Sequence, residues 1–210
     1  MNANDEKKIR DTVSFYNGFS EKYDRKYAAY LHHTHDRLFD RLSDISGECI
    51  LDISAGTGLL AGKILAQYID VKLMLNDPSD GMRAVAMARF EENNSVEFSD
   101  LPAEKIDFPP ESFDRVICLN SFHYYADQEK AIVNMVNVLK PNGFLHILDW
   151  NLEGWFHLPN AIISYLSHEN INTRSVAETE EMLESSGLKI TERRTWSYRF
   201  WKFYLIKATK

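Results

Sequence analysis

From Cys49 onward the chain alternates short apolar runs with amphipathic stretches, and that rhythm leaves few folds open. An apolar run over 49–53 leads through a glycine turn into a helical segment over 59–67. A second strand is expected over 71–75, then a helix over 80–90 with Ser79 as its cap. A third strand over 96–98 and a nearly all-apolar fourth over 115–119 follow, the latter patterned for burial on both faces. Residues 128–139 place Ile132, Met135, Val136 and Leu139 at the i, i+3, i+4, i+7 spacing of one helix face. Pro141, Asn142 and Gly143 should end that helix, and 144–148 make a fifth strand. Strands alternating with helices in this way predict an α/β chain with a parallel, doubly wound sheet.

The two ends depart from the rhythm. Residues 5–42 read as helices broken near Asn17 and Gly18, with Phe15, Tyr16, Phe19, Tyr23, Tyr27 and Tyr30 at helical intervals that suggest packed faces. After Asn151 a helix over 176–186 stops at Gly187. Two last strands, about 188–195 and 200–208, are joined by a loop near 197–199 short enough for an antiparallel hairpin. With no repeat or linker-like tract, the 210 residues read as one domain: a helical cap over 1–45, a core over 46–150, and a terminal segment over 151–210.

A formal net charge of −7 lacks the basic footprint of a nucleic-acid binder and favours a small-molecule ligand. Cys49 and Cys118 sit in apolar runs without metal or redox spacing, which fits buried thiols in a reducing, cytoplasmic setting. The first residues are charged and lack an apolar leader core, and no apolar stretch approaches membrane-spanning length. His32, His33 and His35 point to different helix faces with no completing ligands, so no metal site is expected.

In a doubly wound sheet, ligands lie outside the carboxyl ends of the strands, so the residues just after each apolar run matter most. In ILDISAGTGLLA, Gly56 and Gly58 permit a sharp turn and close approach of a ligand to the backbone, and the next helix aims its positive end there. Asp52 at the strand end can order that loop or accept from an ammonium group. After the second strand comes NDPSDGM, where Asp77 can accept from both hydroxyls of a ribose, or simply form a turn before Pro78. After the third comes SDLPAE, where Asp100 and Leu101 offer an acceptor beside an apolar face, as an adenine ring requires; a solvated loop aspartate fits equally.

Taken together, these strand ends resemble the class I S-adenosylmethionine-dependent methyltransferases, within them the small-molecule group with a methyltransferase-11-type domain. The resemblance runs through ILDISAGTGLLA, NDPSDGM, SDLPAEKIDFPPESFDRVICLNSFHYY and NVLKPNGFLHILDW, about half the chain. FPPESFDRVIC with VLKPNG at its usual distance is the most specific part, and NGFSEKYDRKY looks like the cap segment that often precedes this domain. It implies a Rossmann-like methyltransferase fold: a seven-stranded, mostly parallel sheet with a C-terminal antiparallel hairpin and helices on both faces. It also implies S-adenosylmethionine as cofactor, with S-adenosylhomocysteine as product. By that resemblance Asp52, Ser54, Gly56 and Gly58 surround the methionine end, and Asp77 holds the ribose with Pro78 and Met82 beside the adenosine. Asp100 and Leu101 bind the adenine, Asn120 faces the sulfonium region, and Tyr16 and Tyr23 close over the cofactor from the cap. Ser54 and Asn142 stand where the family usually has glycine; serine is small and Asn tolerates left-handed geometry.

Methyl transfer from a sulfonium is an in-line displacement, so the main task is to align nucleophile and methyl group and exclude water. His123 and Tyr124, just past the fourth strand, are the candidates for a catalytic base, with a shelf or packing role as the alternative for His123. Asn120-Ser121-Phe122-His123 lacks the Asn/Asp-Pro-Pro-aromatic motif of amino-methylating DNA enzymes. Trp150, Trp155, Phe156 and His157 follow the fifth strand and either line an apolar pocket or pack beneath a loop. The acceptor is read as a small molecule, with oxygen, nitrogen, carbon and sulfur all open. Two other readings are a cofactor-binding protein without catalysis and a nicotinamide-dependent dehydrogenase, since Gly56 and Gly58 with Asp77 downstream also fit a dinucleotide fingerprint.

Overall fold

The computed structural model describes residues 2–167 and 171–210. Seven strands form one sheet in the order β3-β2-β1-β4-β5-β7-β6. The strands are β1 (Cys49–Asp52), β2 (Lys72–Asn76), β3 (Val96–Ser99), β4 (Phe113–Leu119), β5 (Leu139–Trp150), β6 (Lys189–Tyr198) and β7 (Trp201–Thr209). β1 to β5 run parallel to one another, while β7 lies antiparallel to both β5 and β6. The expected mostly parallel sheet with a terminal hairpin is borne out.

Helices cover both faces because the central strands are apolar on both. Leu51, Val116 and Cys118 pack on one face with Ile132 and Met135 of α6 (Gln128–Val138) and Leu183 of α8 (Val176–Ser185). Ile50, Ile117 and Leu119 pack on the other with Leu38 of α3 (Ala28–Phe39) and with Leu60 and Ile64 of α4 (Leu59–Gln67). The alternation Val116, Ile117, Cys118, Leu119 therefore sends successive side chains into two different cores, as the pleat demands. One member breaks the pattern: Arg115 is 1% exposed, its guanidinium paired with Glu48 by bonds of 2.8 and 2.9 Å. That buried pair lies at the amino end of β4, away from the ligand-binding edge.

The amino-terminal region forms α1 (Ala3–Asn17), α2 (Ser20–Lys26) and α3, so a second break at Tyr27 joins the one expected near Gly18. Asn2 and Asp5 make a capping box that fixes the start of α1. α5 (Asp80–Arg89) begins as expected at Ser79, whose hydroxyl accepts from the Met82 amide. Residues 141–143 differ from expectation, since they lie within β5 rather than between helix and strand. The ladder shifts there, from Phe113 opposite Leu139 to Arg115 opposite Phe144, and the intervening residues loop out with Asn142 at φ 64°. The left-handed conformation expected to be tolerable for Asn is the one it adopts. α7 (His157–Ser167) was not foreseen. Among the described residues, no helix is long and apolar enough to cross a membrane, and no cluster of His, Cys, Asp and Glu could hold a metal ion.

Candidate functional site

β1 has β2 on one side and β4 on the other, so the chain leaves it in one direction and returns in the other. A crevice opens at the carboxyl ends of these strands. The turn after β1 shapes it. The Ala55 amide donates to the Asn76 carbonyl and the Gly58 amide to Ala55, coiling the chain before α4 starts. Both turn glycines are left-handed, Gly56 at φ 56° and Gly58 at φ 76°, yet they serve different ends. A Cβ on Gly56 would meet nothing within 4 Å, so its backbone faces open cleft. A Cβ on Gly58 would stand 2.7 Å from the Phe90 ring, so that glycine lets α4 and α5 approach.

Two buried carboxylates flank the turn. Asp77 accepts from the Gly56 amide at 2.9 Å with one oxygen and from the Ser79 amide at 2.9 Å with the other. Burial pushes its pKa up to about 6 against the lowering effect of those amides. Asp52 is more isolated: its Oδ1 has no hydrogen-bond partner. Burial, and next the nearby Asp77, push it up to about 7. A buried carboxylate oxygen without a donor is costly, and a ligand cation would relieve it.

The cleft encloses about 730 Å³ including its open mouth, within the range of small-molecule pockets. Its floor is Ser54, Gly56 and Asp77, with Pro78 and Met82 along one side and Asn120 and Tyr124 along another. α1 and α2 roof it through Ile9, Thr12, Val13, Tyr16 and Tyr23. A smaller adjoining cavity, reached past Tyr23, Ser54, Gly56 and Asn120, contains Asp52. The roof is tied down at two points. Asn17 Oδ1 accepts from the Ser79 hydroxyl at 2.7 Å and the Gly81 amide at 3.0 Å. Asp24 accepts from the Thr57 hydroxyl at 2.5 Å and from Arg89 at 2.6 Å.

Asn120 adopts φ 57° at the end of β4, and α3 holds its amide. Its Oδ1 accepts from the Tyr30 hydroxyl at 3.0 Å, its Nδ2 donates to Thr34 Oγ1 at 2.8 Å, and Tyr30 accepts from the Trp150 indole at 2.8 Å. Beneath the floor, Tyr125 links Ser54 at 2.9 Å to Ser121 at 3.2 Å, so the serine in place of a glycine has a bonded role.

Of the residues singled out from sequence, Tyr16, Tyr23, Ser54, Gly56, Asp77, Pro78, Met82, Asn120 and Tyr124 line the main cleft, and Asp52 the adjoining cavity. Gly58, Asp100, Leu101 and His123 are not among the lining residues. The Asn76 side chain clamps the Leu101 backbone, donating to its carbonyl at 2.8 Å and accepting from its amide at 3.2 Å. That clamp leaves Asp100 exposed and brings Pro102, Ala103 and Glu104 to the cleft wall. His123 is 2% exposed, its Nδ1 bonded to Asp149 at 2.5 Å and its ring stacked on Trp150, while Nε2 has no partner. The roof residues Ile9, Thr12 and Val13 of α1 were missed, although with Tyr16 they have the spacing of one helix face.

A family model described as a methyltransferase domain matches residues 51–147. The ubiquinone/menaquinone biosynthesis C-methyltransferase UbiE of Pseudomonas putida (strain GB-1) is 33% identical over 126 residues, 58% of this chain and 49% of the relative. The chain thus spans about half the length of that relative. Among solved structures, the methyltransferase complexed with the Haloferax volcanii Trm112 activator superposes with a TM-score of 0.80 at 17% identity, covering 92% of this chain and 96% of that one. Burkholderia thailandensis 1,6-didemethyltoxoflavin-N1-methyltransferase, solved with S-adenosylhomocysteine, has a TM-score of 0.76 at 14% identity, covering 100% and 92%. These likenesses show the fold, and the matched span carries the strand ends described above. Over residues 51–147 the chain is similar to the methyltransferase-domain family.

Proposed function

We propose that the chain binds S-adenosylmethionine in this cleft and transfers its methyl group to a small-molecule acceptor. The observation that carries the reading is the unpartnered Asp52 oxygen, buried beside the open backbone of Gly56 at the switch point of the sheet. The residues fit the cofactor. Asp52 would take the amino group of the methionine moiety, and the amino end of α4 its carboxylate. Asp77 keeps two acceptor positions beyond its bonds to Gly56 and Ser79, enough for the ribose hydroxyls. Pro78 and Met82 would border the adenosine, with the adenine against Pro102 and Ala103 and the backbone of Asp100 and Leu101 held near it by Asn76.

When bound, the cofactor supplies a methyl group on a positively charged sulfur. What this chain must add is alignment and dryness. Asn120, fixed by Tyr30 and Thr34, sets the wall nearest the methionine pole. Tyr16 and Tyr23 on the latched roof shield the cleft from water. Tyr124 lines the cleft and can touch an acceptor, while His123, packed behind it on Trp150 and Asp149, supports that wall. The C-methyltransferase activity for which the Pseudomonas relative is named and the S-adenosylhomocysteine bound in the Burkholderia neighbour support the reading, as does an acidic chain poorly suited to nucleic acid.

Calorimetric titration with S-adenosylhomocysteine and, separately, NAD tests it, using wild type and Asp77→Ala. Micromolar binding of the first alone, lost in the variant, is the expected result. Binding of NAD instead, or of neither by protein freed of carried-over ligand, overturns the reading.

A further inference from the structure

The cleft wall has an unusual balance of charge. Among the described residues that line it, the ionisable ones besides the tyrosines are Asp77 and Glu104, and none is Lys, Arg or His. The adjoining cavity adds Asp52 and one basic residue, His35, whose pKa burial pushes down to about 4, so its ring is neutral near pH 7. The nearest buried ammonium, Lys8, lies behind the wall, donating to the Tyr125 carbonyl at 3.3 Å. Arg25 and Lys63 line a further groove between α2, α3 and α4 that shares Leu31, His35 and Leu59 with the adjoining cavity, and there Lys63 pairs with Asp36.

Three of the four tyrosines that line the cleft form one aromatic cluster. Tyr16 meets Tyr23 and Tyr124 edge to face, with centroids 5.9 and 5.6 Å apart, and all three line the cleft. Aromatic faces attract ammonium groups and repel anions. An acceptor bearing a carboxylate or phosphate would be buried here with no basic side chain to pair it, a costly arrangement. Asp52 and Asp77 are committed to the cofactor in the reading above, so the surface left for the acceptor offers aromatic rings and the Glu104 carboxylate, and no basic side chain.

Resting on that reading, we propose that the acceptor is a small amine, seated against Tyr16, Tyr23 and Tyr124, and that the reaction is N-methylation. The amine enters as its ammonium; burial and the sulfonium charge then favour the neutral form, its proton passing to water as the cofactor site fills, so the nucleophile is produced without a histidine at the cleft surface. Its nitrogen lone pair forms the new N–C bond as the C–S bond breaks, the bonding pair passing to sulfur. The methylated ammonium then releases its proton to water, leaving neutral S-adenosylhomocysteine and the methylated amine.

The test uses the full chain saturated with S-adenosylhomocysteine and a matched pair of probes, 2-phenylethylamine and 3-phenylpropionate. The amine is expected to bind about tenfold tighter than the carboxylate, the scale of one desolvated cation–π contact. Tyr124→Phe, which keeps the ring, should preserve that ratio, and Tyr124→Leu should reduce it severalfold while still binding S-adenosylhomocysteine. Equal or tighter binding of the carboxylate, binding of neither probe to the loaded protein, or a ratio unmoved by Tyr124→Leu overturns the amine assignment alone. Failure to load with S-adenosylhomocysteine overturns the cofactor reading and this one with it.

Discussion

The carboxylate of Asp77, at the end of β2, accepts a 2.9 Å hydrogen bond from the backbone amide of Gly56 in the turn after β1. One side chain thus holds the loop that a cofactor must approach and occupies the place where a ribose would sit. Asp77→Ala removes both roles. Charge-assisted bonds of this kind contribute roughly 1.5–3 kcal/mol, so S-adenosylhomocysteine affinity is expected to fall by about ten- to a hundredfold. Titration calorimetry reads the loss, and unchanged affinity would remove Asp77 from the site.

Asp52 sets a pH dependence. Its pKa is pushed up to about 7, chiefly by burial, so below that value the group is mostly neutral and offers nothing to a ligand ammonium. Affinity for S-adenosylhomocysteine should therefore rise from pH 6 to pH 8 and be flatter in Asp52→Asn, with the smaller contribution of Asp77 remaining. The folded protein binds this proton more tightly than the unfolded chain, so the free protein loses stability as pH rises through the interval ending near 7. Asp52→Asn is then expected to melt several degrees higher than wild type at pH 8 without ligand, as scanning calorimetry can check.

The two turn glycines separate binding from packing. Both would be strained by a side chain, by about 1–2 kcal/mol for left-handed backbone. At Gly58 the added carbon also collides with Phe90, bringing about 1–3 kcal/mol more. Gly58→Ala should show the larger fall in melting temperature, and Gly56→Ala the larger loss of S-adenosylhomocysteine binding relative to its fall in stability. The reverse order would mean that the open face of Gly56 is not where a ligand lies.

The roof latch at Asp24 should control release. Its bonds to Thr57 and Arg89 join α2 to the glycine turn and to α5. Arg89 and Asp24 are both partly exposed, so their ion pair stabilises the fold by under about 1 kcal/mol. Asp24→Ala is expected to leave the melting temperature within a few degrees of wild type and to speed dissociation of S-adenosylhomocysteine about tenfold in stopped-flow chase experiments. Unaltered dissociation would mean that the roof opens elsewhere.

The strand rhythm was legible because β1, β4 and the second half of β5 are buried on both faces, so their apolar runs stand out between amphipathic helices. The cleft floor followed from the same signal, since a strand end fixes where Asp52, Asp77 and Asn120 must lie. Asp100 and Leu101 were harder to read because a side chain on another strand, Asn76, decides how that loop turns. Gly58 carries the same letter as Gly56, and only the proximity of Phe90, 32 positions later, separates their duties. The roof was half legible: its tyrosines attract notice, but Ile9, Thr12 and Val13 look like any apolar face until the cleft beneath them is known. Arg115 in an apolar strand shows the same dependence on distance, since Glu48 is what permits it.

The chain of bonds from Trp150 through Tyr30 to Asn120 has a direction. Tyr30 has one proton to give, and the indole can only donate, so the tyrosine proton goes to the Asn120 carbonyl. The remaining amide group then faces Thr34, with both partners on α3. A shift of α3 cannot leave the cleft end of β4 untouched, because it must carry the amide along or strip it of both bonds. The same shift would release the Trp150 indole from its acceptor. The emission of Trp150 should therefore report whether α3 keeps its hold on Asn120.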